Sequence, residues 1–133
     1  MTILSGAMKP TDTTLSVGYG YIGSIESIRG DRAMNSNVLE ISSYSLVPGI
    51  DEHQFVRAAD DTMGILRRQR GFLARSIARA ENGRWTEIVH WLDRDSARTA
   101  SERLAANPDA AAFSALIDRP TFERGYYPVA YSG

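Results

Sequence analysis

Gly18-Tyr-Gly20-Tyr-Ile-Gly23 spells G-x-G-x-x-G, the pattern that lets backbone amides close around a pyrophosphate at a helix N-terminus. That chemistry needs a buried strand before the glycines and a long helix opening at the third. It also needs an acidic residue about 20 positions on, at the end of a second strand. Upstream of Gly18 stands only Thr-Thr-Leu-Ser-Val. Downstream, Ser24–Ile28 meets Arg29-Gly30 after about one and a half helical turns. Glu40 has roughly the right spacing, but it opens a strand. The segment therefore reads as a glycine-rich arm or hairpin. Arg29-Gly30-Asp31 reads as a chance tripeptide.

Acid–base chemistry has another candidate. His90, between Val89 and Trp91, is one of two histidines, and imidazole is the side chain whose ordinary pKa lies nearest neutrality. The other, His53, falls in the first turn of a helix and reads as solvated. The histidines lack an H-x-x-x-H spacing and the chain has no cysteine, so no metal site is expected. Without cysteine, disulfides and thiolate nucleophiles are excluded too. Trp85 and Trp91 read as core.

Composition narrows the partners. Net charge is −1 over 133 residues, with basic and acidic groups interspersed. That leaves no electrostatic case for nucleic acid or an acidic membrane. Apolar content of 43% and charge of 23% are those of a folded domain. Lys9 is the only lysine among 15 basic residues, which reads as base-composition bias, as in a GC-rich bacterium. No stretch approaches the ~18 apolar residues of a membrane span, and the first residues lack a signal-peptide pattern. A cytoplasmic protein is expected.

The elements that must position His90 begin near residue 37. Residues 1–36 are rich in Gly, Ser and Thr without helical periodicity. Two readings stay open for them: a native arm, or a segment upstream of a start at Met34. From 37 to 133 one domain is expected. Val38–Val47 is β-rich and ends at the Pro48-Gly49 turn. Asp51 opens a helix, with Gln54 completing a capping-box-like pair. Phe55, Ala58, Ala59, Met63 and Leu66 fall on one face, Arg67, Arg68 and Arg70 crowd the last turn, and Gly71 follows. Strands 72–80 and 84–92 flank Asn82-Gly83, a strong hairpin signal. Asp93 or Asp95 caps a second helix through about Ala106, with Ala97, Ala100 and Leu104 inward. Pro108 opens a short third helix carrying Phe113, Leu116 and Ile117. Thr121–Tyr131 is a last strand, and Pro128 places it at an edge or bulge. The order β-α-β-β-α-(α)-β predicts an α+β, ferredoxin-like split βαβ fold: a four-stranded antiparallel sheet with helices over one face. A sheet apolar on both faces needs a second cover, and a homodimer is the usual solution.

A two-residue Asn82-Gly83 turn sets Ala80 opposite Trp85, Ala78 opposite Glu87, Ser76 opposite Val89 and Ala74 opposite Trp91. The other face pairs Ile77 with Ile88, Arg75 with His90, and Leu73 with Leu92. Bulky against small suits a surface packed under helices, so the second face is expected to line the open side.

"SYSLVPGIDEHQF", "RQRGFLARSIAR" and "NGRWTEIVHWLDRDSARTA" resemble the dimeric α/β-barrel superfamily, and more narrowly the antibiotic-biosynthesis-monooxygenase-like domains, over residues 37–131. The resemblance implies that two sheets close a barrel. It also points Glu40, Ser42 and Tyr44 toward the cavity. The candidate catalytic set is then His90, Glu40, Tyr44 and Arg75. Ser42, Leu46, Leu73, Ile77, Ile88 and Leu92 complete the substrate-binding surface: apolar walls with few polar groups.

Members of the superfamily include cofactor-independent oxygenases of phenolic polyketides, haem-degrading enzymes and cyclases, and the fold alone does not choose among them. Haem-degrading relatives carry an Asn, a Trp and a His where this chain has Ser42, about Ala100 and about Ala110. Without that His, haem iron has no protein ligand, and no cofactor is expected. A cofactor-free oxygenase would use His90 or Glu40 to take a phenolic proton and Arg75 to hold the anion. A cyclase or lyase would use the same base. A non-catalytic ligand-binding or structural dimer needs only the cavity. In that last reading Glu40 and Arg75 form an interface ion pair, Tyr44 is a wall and His90 serves packing.

Overall fold

A computed structural model describes residues 36–133; the glycine motif and the proposed arm lie outside the described residues. The elements are β1 (Val38–Tyr44), α1 (Glu52–Asp61), α2 (Met63–Arg67), β2 (Phe72–Arg79), β3 (Trp85–Trp91), α3 (Arg94–Ala106), α4 (Ala111–Ser114) and β4 (Glu123–Pro128), with 3-10 turns at Pro108–Ala110 and Arg119–Thr121. The strands form one antiparallel sheet in the order β2-β3-β1-β4, the expected ferredoxin-like arrangement. Pro128 ends the edge strand β4, where a missing N–H costs least.

Local chemistry explains the element boundaries. The Asp51 side chain accepts from the Gln54 N–H at 2.9 Å and opens α1. Asp93 accepts from the Ser96 N–H at 2.8 Å and opens α3; that bond holds the Asp93 carboxyl below the usual carboxylate range. Gly71 turns the chain into β2 at φ +82°, and a Cβ there would lie 2.3 Å from Ser96 Oγ. Both the backbone angle and the closeness of α3 demand glycine.

The first helix is not continuous. It breaks at Thr62, whose hydroxyl donates to the Ala59 carbonyl at 2.6 Å. Such back-bonding offers the backbone an alternative to the helical ladder.

The helices cover the face of Val38, Glu40, Ser42 and Tyr44 on β1. Two apolar clusters build the core there. Leu66, Val89, Trp91, Ala97 and Ala100 form one. Tyr44, Phe55 and Trp85 form the other, with Leu46, Ile77 and Phe113 packed against it.

Candidate functional site

The hairpin turn determines which β2 side chains meet the helices. It is a three-residue loop, not the expected two-residue turn. Ala80 N–H donates to Arg84 O at 2.8 Å, Arg84 N–H to Asn82 Oδ1 at 2.9 Å, and Gly83 sits at φ +90°. The extra residue shifts the register by one. Arg79 now faces Trp85, Ile77 faces Glu87 and Arg75 faces Val89. A one-residue shift carries every β2 side chain to the other face. Arg75 and Ile77 therefore lie under the helices, while Ala74, Ser76 and Ala78 take the open face. A bulge between Phe72 and Ala74 returns Phe72 to the core beside Trp91.

Glu40, Ser42 and Tyr44 also lie opposite to expectation. They face the helices, not the open side. The β1 sequence alternates cleanly in neither parity, and packing decided. Tyr44 lies 6.0 Å from Phe55 and 5.9 Å from Phe122, ring centre to ring centre. Leu46 leaves the sheet plane and bridges to Ile117 within the same cluster. Ile88 and His90 do occupy the open face, pairing with Ile41 and Leu39. Leu73 and Leu92 are exposed at the strand ends. The proposed foursome is thus split: Glu40, Tyr44 and Arg75 share the covered face, and His90 stands on the other side of the sheet.

Two polar networks interrupt the covered face. In the first, the Glu87 carboxylate divides its oxygens. Oε1 accepts from the Tyr44 hydroxyl at 2.9 Å. Oε2 accepts from Arg75 Nε and Nη2, both at 2.8 Å. Arg75 Nη1 donates to the Ala59 carbonyl and to Thr62 Oγ1, each at 2.9 Å, placing a cation at the C-terminal end of α1 where the helix dipole favours it. Burial, reinforced by the neighbouring Glu87 charge, pushes the Tyr44 phenol well above its ordinary pKa. Tyr44 therefore remains a donor across the physiological range. Every nitrogen of Arg75 is committed, and its side chain is 6% exposed.

The second network surrounds Glu40, 7% exposed. Oε1 accepts from Trp91 Nε1 at 2.8 Å. Oε2 accepts from Ser101 Oγ at 3.2 Å and pairs with Arg124 Nε at 3.1 Å. Ser101 Oγ and the Tyr126 hydroxyl are 3.0 Å apart. Ser42 joins the networks, because its register partners are Glu87 on β3 and Arg124 on β4.

Glu87, Thr62, Ser101 and Arg124 were not among the expected site residues. Glu87 carried a legible signal: it shares strand parity with Trp85, Val89 and Trp91, so it had to be buried with them. Arg124, Ser101 and Thr62 carried none, since only tertiary packing brings them to β1 and β2. On the open face, His90 Nε2 is buried without a hydrogen-bond partner. Among the described residues, no three His, Cys, Asp or Glu side chains converge as a metal site would require, and no helix is long and apolar enough to cross a membrane.

No protein-family model matches the chain, and no curated protein matches it. Solved structures do. A variant of SnoaB, a cofactor-independent oxygenase from Streptomyces nogalater, superposes with a TM-score of 0.60 at 22% identity, over 73% of this chain and 96% of that one. A Nitrosomonas europaea protein, provisionally assigned as an antibiotic biosynthesis monooxygenase, gives 0.57 at 14% identity, over 73% and 93%. PA3566 from Pseudomonas aeruginosa gives 0.52 at 18%, over 71% and 95%. At such identities the likeness establishes the fold alone, the ferredoxin-like α+β sheet that these proteins share.

Proposed function

From that shared fold, we propose that the chain binds an aromatic small molecule against the helix-covered face of its sheet and oxygenates it directly with dioxygen. The observation that carries this reading is the pair of carboxylates on the covered face, Glu40 bonded to Trp91 of one apolar cluster and Glu87 to Tyr44 of the other. Burying charge is expensive, and buried ionisable groups concentrate where chemistry uses them. The likeness to SnoaB supports the same reading.

In this reading Glu40 takes the proton of a phenolic hydroxyl. The phenolate then reacts with oxygen at its para carbon. One oxygen atom stays as a carbonyl, and the other leaves as water with the two hydrogens from O–H and C–H. Arg75 is a positioning residue: its donors are spent holding Glu87 and the end of α1. Oxygen uptake matched one-to-one by quinone formation on a hydroxylated aromatic, without added metal, flavin or haem, is the expected result. Product formed equally under nitrogen identifies a cyclase or lyase instead.

The unpartnered Nε2 favours a second reading, with His90 as the base on the open face. That face carries Ile41, Ile88, Leu92 and Tyr127, and Tyr127 is 52% exposed. Its apolar character supports pairing of two copies sheet to sheet. Sedimentation equilibrium is expected to return twice the chain mass, and Ile88→Arg to return the single-chain mass. A native protein that sediments as one chain removes the sheet-to-sheet pairing.

A further inference from the structure

We propose that Arg124 is a docking point for an acidic group, so that the substrate is an aromatic acid. The inference rests on the small-molecule reading above and adds the chemical class to it. The covered face carries two arginines in contact with its carboxylates, and they differ in what they can still bind. Arg75 cannot take an anion without releasing the buried Glu87. Arg124 can. Its side chain is 36% exposed. Nε serves Glu40, with a longer approach to Ser42 Oγ at 3.4 Å. The opposite edge, Nη1–Nη2, makes one 3.4 Å contact to Ser101 Oγ, and Nη2 has no partner among the described residues. That edge has the fork geometry that carboxylates accept in bidentate fashion.

The surroundings suit an aromatic acid. The Arg124 guanidinium lies 4.9 Å from the Phe122 ring centre, and ring stacking restrains its orientation. The Ser101 and Tyr126 hydroxyls supply adjustable donors. Glu40 is the local anion and would repel a second one. Its charge, however, is shared by Trp91, Ser101 and the Nε edge of Arg124. The site would discriminate by charge as well as shape.

Calorimetric titration with two probes, a hydroxynaphthoate and the naphthol lacking its carboxylate, tests this. The acid is expected to bind ~10–100-fold more tightly to the native protein, as charge-assisted hydrogen bonds allow. Arg124→Gln should bring the acid close to the level of naphthol, removing most of the native preference for the acid. Arg124→Lys, which keeps the charge and loses the fork, should fall between and guards against a folding artefact. Equal binding of both probes to the native protein overturns the proposal while the small-molecule reading stands. So does an Arg124→Gln variant that keeps the native preference for the acid. Binding of neither probe overturns the proposal together with that reading.

Discussion

Glu87→Ala is expected to lower the unfolding free energy by about 3–5 kcal/mol, the cost of breaking a buried ion pair by removing one partner. The expectation follows from what the substitution strands. Arg75 Nε and Nη2 lose their acceptor, and so does the Tyr44 hydroxyl, within a packed layer where Arg75 is 6% and Glu87 13% exposed. An exposed pair would behave differently: Arg79–Glu52, with both side chains more than half exposed, belongs to the class worth about 0–1 kcal/mol. Denaturant titration at fixed protein concentration checks the difference. The double variant Arg75→Met with Glu87→Leu should recover much of the loss, because an apolar pair strands no charge. A loss below about 1 kcal/mol for Glu87→Ala would mean that water reaches the pair and that it behaves as a surface one.

The largest effect on activity is expected at Glu40. Once a turned-over phenolic substrate is in hand, Glu40→Gln should lower kcat ~10²–10⁴-fold, the range for losing a general base. The amide keeps an acceptor for Trp91 and can donate to Ser101 Oγ; Arg124 Nε loses its acceptor, but that side chain is partly exposed and water can replace it, so the fold should survive and KM should move less than kcat. His90→Phe should leave turnover nearly unchanged, because the imidazole stands on the opposite face, paired with Leu39 and Ala74. The reverse pattern, with His90→Phe disabling and Glu40→Gln tolerated, would move the chemistry into the space between two sheets. The likeness to SnoaB, at 22% identity, is one of fold, so the choice belongs to this chain's own side chains.

Much of the architecture was legible in one dimension. Asp51 and Asp93 announce helix starts because a short acceptor side chain can reach the N–H three residues on. Asn82-Gly83 announces the hairpin, because Gly83 tolerates a positive φ. Trp85, Val89 and Trp91, all of one strand parity, declare the buried side of β3, and Glu87 between Trp85 and Val89 had to share it. These are local relations within a few residues, and they suffice for the element order of a ferredoxin-like sheet.

The site was not legible in the same way. Whether the hairpin loop holds two residues or three is a difference of one peptide unit, and with a period of two it moves Arg75 and Ile77 to the other side of the sheet. For β1, Val38, Glu40, Ser42 and Tyr44 compete with Leu39, Ile41 and Ser43. Each set mixes apolar and polar residues, so neither parity is preferred until something packs on it. Phe55, Phe122 and Trp85 pack around Tyr44, while Trp91, Ser101 and Arg124 supply donors for Glu40. Those partners lie up to 84 positions away along the chain. Local sequence relations set the order of the elements and the helix starts; packing in three dimensions chose the hairpin register and the face over which the helices closed. Burial of a charged side chain depends on finding its partners in space, and those partners came from other elements.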